Sequence, residues 1–222
     1  MQFYNLILRD LKLAFYSSTN FLLSASFLIL VLILIPFVFG SNVSNFSLLF
    51  RGFIWISIAL SILLTLDRVF NSDYEDGNLD TIILTQISIE LIVFAKFIAH
   101  WVANCIPIII VIPLAGILFE IGIQDSLNII TNVLAGSPGM VFIGSAISAL
   151  TLGSKRAGIY KTIIIIPLYI PFIIFGADQE SSLVLLGLSM IACVFSLFIS
   201  VYSLRLYACL LYTSPSPRDC RL

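Results

Sequence analysis

Apolar runs too long for a soluble core constrain this chain more than any other feature. A helix needs about 20 mainly apolar residues to cross a bilayer. Six stretches read as spans on that measure: Phe21–Phe39, Phe46–Leu66, Leu91–Phe119, 138–152, Ile159–Phe175 and Leu183–Leu211. The fourth is the weakest, with an amphipathic approach over Leu127–Leu134 and a break at Gly136-Ser137-Pro138-Gly139. Charged residues make up 10% of the chain, against roughly 25% in soluble domains. So little charge cannot cover a water-facing surface. The expected fold is therefore all-α, a polytopic membrane protein with six transmembrane helices.

In residues 1–18, Phe3, Leu6, Ile7, Asp10, Leu11, Ala14 and Phe15 alternate with Arg9 and Lys12 at helical spacing. That pattern predicts an interfacial helix with its bases at the headgroups. No small-residue cleavage site follows the first apolar run, so it reads as a retained span. With the N-terminus in the cytoplasm, Arg9, Lys12, Arg68, Lys155, Arg156, Lys161 and Arg205 all fall at cytoplasmic ends. Lys96 lies just inside the third span and can snorkel to the same side. The outer loops hold Arg51 as their one base. This asymmetry of Lys and Arg orients the chain with both termini inside. Residues 1–211 form one transmembrane domain on this reading. Residues 212–222, rich in Ser and Pro, read as a disordered or foreign tail.

The longest polar interruption is Asp67–Glu90. It holds Asp67, Asp73, Glu75, Asp76, Asp80 and Glu90 against the single base Arg68. Up to Gly77-Asn78 it shows turn residues and no apolar period, which predicts an acidic loop. From Leu79 onward Leu79, Ile82, Ile83, Gln86 and Ile87 share one helical face. A short membrane-surface helix follows from that pattern. The plain reading is a solvated loop between spans; the sharper one is a docking element for a soluble partner.

Polar residues within spans are costly and ask for a reason. Lys96, His100 and Asn104 recur at four-residue spacing with Trp101 beside them, a candidate intramembrane polar track. Either it faces a ligand, with His100 a haem contact, or it bonds to neighbouring helices inside the bundle; the second reading is favoured. Ser57, Ser61 and Thr65 repeat the spacing, and Ser145, Ala149, Gly153 and Ser189, Cys193, Ser196, Ser200 form small-residue ladders suited to close packing. Cys105, Cys193, Cys209 and Cys220 lack paired spacing and read as small hydrophobes. No metal site, phosphate-binding loop or catalytic motif is evident, and the chain has a single His. An enzyme is not expected.

Several stretches in order resemble the CcmB (haem exporter protein B) family, the permease subunit of the cytochrome c maturation ABC transporter. They are Arg9-Asp10-Leu11, Pro36-Phe37, Trp55, Leu66-Asp67-Arg68-Val69-Phe70 with Asp73, Glu75-Asp76-Gly77-Asn78-Leu79-Asp80, Ala95-Lys96, His100-Trp101, Ile106-Pro107, Pro113, Gly136-Ser137-Pro138, Leu150-Thr151-Leu152-Gly153, and Ile166-Pro167-Leu168-Tyr169-Ile170-Pro171 with Ile174-Phe175-Gly176. Tyr16 departs from the family pattern, which has a base there. The resemblance implies an inner-membrane subunit, bacterial or mitochondrial, paired with a separate cytoplasmic ATPase similar to CcmA. It also implies CcmC-, CcmD- and CcmE-like membrane partners and two copies per transporter. ATP would be bound only by the ATPase. Haem is the expected cargo, or hydrolysis releases a haem-loaded chaperone; no cofactor of the chain's own and no nucleic acid is expected. The ATPase would dock on Asp67, Arg68, Asp73, Glu75, Asp76, Gly77 and Asp80, where the surface helix would act as the coupling helix. Two rivals stand beside this reading: an ABC export permease for a lipid, glycan or drug, and a non-transporting scaffold for haem-handling partners.

Overall fold

The computed structural model describes residues 2–16, 26–34, 46–83, 87–118, 121–154 and 157–213. The described residues are almost wholly helical and include no strand. In chain order the helices are α1 (Gln2–Tyr16), α2 (26–34), α3 (Phe46–Thr65), α4 (Asp67–Glu75), α5 (Asn78–Ile83), α6 (Ile89–Leu118), α7 (Ile123–Leu150), α8 (Ala157–Ala177) and α9 (Ser182–Thr213). Among the described residues, five helical stretches are long and apolar enough to cross a membrane: Leu48–Glu75, Ile89–Ile117, Ile123–Leu150, Gly158–Ala177 and Ser182–Cys209. The protein is thus a helical membrane protein. Of the first expected span, only 26–34 lie within the described residues, and they are helical. The tail beyond 213 lies outside them.

Helix α7 is the centre of the bundle. It packs against α3, α6, α8 and, most extensively, α9. In its most apolar stretch 67% of the residues are buried, against 22% in α8 and 28% in α9. The outer faces of α8 and α9 carry exposed Ile163, Ile174, Leu183, Phe195 and Phe198. Large apolar faces of this kind suit lipid as solvent.

Two expectations are corrected here. Gly136 to Gly139 do not break the fourth span; α7 runs unbroken through Pro138. In lipid a broken helix leaves several backbone groups unsatisfied, whereas a proline removes one hydrogen bond. The glycines serve packing instead. A Cβ on Gly136 would meet Trp55 Cη2 at 2.5 Å, and one on Gly139 would meet Phe172 Cε1 at 2.6 Å. Trp55, 1% exposed, is also lodged against Gly176 of α8, so three helices close on one indole.

The second correction concerns Asp67–Glu75. It is a helix, α4, rather than a loop, and continues almost directly from α3. Leu66 and Phe70, and Val69 and Asp73, are buried pairs four residues apart. That inward stripe supplies the period the acidic composition conceals. Val69 and Phe70 pack with Leu79, Val93, Phe97, Ala149 and Leu204. The turn is confined to Asp76-Gly77, where Gly77 takes φ +70°. A left-handed residue ends α4 at low cost because glycine has no Cβ. Over Asn78–Ile83, α5 then buries Leu79 and Ile82; Gln86, expected on the same face, lies outside the described residues.

Helix α1 packs along α6, with Leu6 buried beside Ile82, Ile92 and Ala95. Lys12 is exposed, but Arg9 turns toward carboxylates of the bundle rather than outward alone.

Candidate functional site

The polar stripe of α6 faces into the bundle. Lys96, His100 and Asn104 are each buried, because four-residue spacing keeps them on one face and that face meets α3, α4 and α1. Lys96 does not snorkel to the surface. Its Nζ donates to the Asp73 carboxylate and to the Val69 carbonyl at 3.2 Å, and lies 5.7 Å from the Phe70 ring centre. Asp10 Oδ2 stands 3.8 Å away. Arg9 holds Asp10 at 2.6 Å and reaches Asp73 at 3.7 Å. Two acids and two bases thus alternate in a closed ring: Arg9, Asp10, Lys96, Asp73. A buried ammonium is tolerable only when neutralised and hydrogen-bonded, and the ring supplies both conditions.

About two turns deeper than Lys96, Asn104 links α6 to α3. Its Oδ1 accepts from Thr65 Oγ1 at 3.1 Å, with Ser61 Oγ at 3.5 Å, and its Nδ2 donates to the His100 carbonyl at 2.9 Å. The His100 ring nitrogens lie 3.3 and 3.4 Å from that Nδ2. Trp101 points to another neighbour: its Nε1 donates to Ser137 Oγ of α7 at 3.0 Å. Lys96, Trp101 and Asn104 thus each bond to another helix, while His100 meets Asn104 within α6. Among the described residues no group of three or more His, Cys, Asp or Glu is placed to hold a metal.

The residues named for docking divide. Asp73 is turned inward and belongs to the ring. Glu75, Asp76 and Gly77 are exposed at the α4–α5 turn, with Asn78 beside them. Asp80 is half-buried and accepts from Tyr207 Oη at 2.7 Å. The side chains of Asp67 and Arg68 lie outside the described residues. Tyr207 stacks edge-on against Tyr74 at 5.6 Å, so the end of α9 also clasps this unit, while Arg205 pairs with Glu90 of α6 at 2.5 Å.

A second charged lock closes the opposite end of the bundle. Arg51 of α3, 3% exposed, donates to Asp125 of α7 at 3.1 Å. With the Gln179 amide oxygen turned to face it, that oxygen accepts from Arg51 Nη1 and Nη2 at 3.2 and 2.8 Å. Asn132 Nδ2 donates to the Asp178 carbonyl at 2.9 Å in the same region. The sequence shows Arg51 and Asp125 as isolated outer charges. Their 74-residue separation conceals the pair. Asp10 was legible as part of an amphipathic pattern and of the Arg9-Asp10-Leu11 stretch, without its partners. Its place at the helical spacing of the apolar face, with Leu6, Ile7, Leu11 and Ala14, was the available signal.

The sequence model of the CcmB protein family matches residues 1–210. Heme exporter protein B of Bradyrhizobium diazoefficiens is 32% identical over 212 residues, 90% of this chain and 96% of that protein. Heme exporter protein B of Rhodobacter capsulatus is 35% identical over 173 residues, covering 78% and 79%. That of Escherichia coli K12 is 32% identical over 176 residues, covering 79% and 80%. With a match along nearly its full length and relatives at this level of identity, the chain belongs to the CcmB protein family.

Proposed function

We propose that the protein is the permease subunit of an ABC transporter in cytochrome c maturation, and that α4–α5 is the element on which a separate cytoplasmic ATPase docks. Family membership and the haem export named for the relatives support the first part. The observation that carries the second is the exposed acidic turn Glu75-Asp76-Gly77, held between two helices that pack on the spans. A transporter subunit driven by a partner's hydrolysis needs such a part. It must project from the membrane, differ chemically from its surroundings and be fixed to the bundle. On this reading both termini and the α4–α5 turn face the cytoplasm of a bacterial inner membrane. Haem, or release of a haem-loaded chaperone, is what hydrolysis drives. CcmC-, CcmD- and CcmE-like proteins are the membrane partners, and the permease works as a homodimer.

The exposed acids act on a basic surface of the ATPase, and rim charges govern association rate and salt dependence more than affinity. The test is co-purification with the ATPase in detergent at low and high salt. Wild type should retain the ATPase at low salt and lose part of it at high salt. Glu75→Lys/Asp76→Lys should lose it at least tenfold at low salt. Equal retention by wild type and the reversed variant would remove the acids from docking. No retention by folded wild type would favour the scaffold reading.

A further inference from the structure

We propose that Lys96 is the positioning residue through which the α4–α5 unit is carried by α6, so that force received at the turn reaches a membrane span; this rests on the docking reading above. Lys96 is the eighth residue of α6, which puts it roughly 10 Å along the helix at 1.5 Å per residue. It grips α4 at two points one turn apart, the Val69 carbonyl and the Asp73 carboxylate. Two points four residues apart fix both the rotation of α4 about its axis and its register along α6. Neither can change without unpairing a buried ammonium.

The ring of charges is uneven, and the unevenness singles out this joint. Lys96–Asp73 and Arg9–Asp10 are the close pairs. The legs that join them, Asp10–Lys96 and Arg9–Asp73, are 3.8 and 3.7 Å, and Asp10 Oδ2 has no hydrogen bond. Each close pair is neutral by itself. The firm connection therefore runs from α4 to α6, and α1 lies across it by the longer legs and by apolar contact. Two other polar contacts reach the unit: Tyr207 Oη on Asp80 is part-buried, and Ser148 Oγ of α7 donates to the Leu66 carbonyl just ahead of α4 at 3.1 Å, a single buried point; Arg205 on Glu90 ties α9 to α6 instead and is exposed. Exposed pairs contribute little. A buried ion pair is weak evidence for stability, and its best-attested use is to fix register.

The experiment compares wild type, Lys96→Met, Lys96→Arg and Lys96→Met/Asp73→Asn in complex with the ATPase. Amide exchange over residues 69–83 and ATP turnover per co-purified complex are both measured. The expected Lys96→Met protein holds the ATPase within about twofold of wild type. Its turnover falls about tenfold or more, and its α4–α5 amides exchange about tenfold or more faster while those of α7 do not change. Lys96→Arg restores both. The double variant removes both charges of one close pair and leaves Asp10 neutralised by Arg9, so it folds even where Lys96→Met does not. Its turnover nevertheless stays low, whereas a merely structural pair would let it recover. Turnover and exchange within twofold of wild type in Lys96→Met, or recovery in the double variant, would overturn the proposal. Loss of ATPase from wild type would instead overturn the docking reading, and exchange over residues 69–83 would then decide the joint alone.

Discussion

Arg51 and Asp125 are unequal partners. The guanidinium side chain is 3% exposed and the carboxylate 40%. Removing the carboxylate leaves a buried charge with one amide oxygen. Asp125→Ala should therefore cost about 3 kcal/mol, the scale for breaking a buried pair. Arg51→Met leaves only a carboxylate that already reaches water and should cost less than half as much. Thermal unfolding in detergent reads the order; equal costs would place Arg51 in water. Trp55 gives a second residue-scale case. Gly136→Ala drives a methyl into the indole and should cost about 1–3 kcal/mol as overpacking. Combined with Trp55→Phe it should cost less than the two single costs added, because the smaller ring vacates the space. The sequence marked Trp55, Gly136 and Gly176 as separate positions. That they meet was not legible, because periodicity reports which residues share one helix face and not which helix that face meets.

At the scale of elements, α4–α5 shows what composition hides. Its acids suggested a loop, yet the alternation of Leu66, Val69, Phe70 and Asp73 on one face builds a helix whose exposed side carries the charge. Asp73 itself was read as a docking acid because it sits among acids; its buried partner Lys96 is 23 residues away. The polar stripe of α6 was legible from its four-residue spacing alone. The turn that joins α4 to α5 depends on Gly77, where a Cβ would meet nothing within 4 Å. Gly77→Ala should thus cost only backbone strain, about 1–2 kcal/mol for a left-handed residue, and Gly77→Asn less. Faster amide exchange confined to α4–α5 checks this; faster exchange throughout the bundle would refute the local account.

For the whole molecule, the two charged locks sit at opposite ends. Arg51, Asp125 and Gln179 join α3, the start of α7 and the α8–α9 turn. Lys96, Asp73, Asp10 and Arg9 join α6, α4 and α1. Tyr207 brings in α9. Between them run the spans, legible from apolar length because lipid leaves the backbone no alternative to helix. Length could not show that α7 is central and α8 and α9 peripheral, since all three are long enough to span. The central claim is that the α4–α5 turn meets the ATPase on the cytoplasmic side. A photo-crosslinking residue at exposed Asn78, compared with one at exposed Gln124 of the opposite end, tests it in native membranes. The account predicts a crosslink to the ATPase from position 78 and none from 124. Capture from 124, or from neither with the ATPase present and the permease folded, would contradict it.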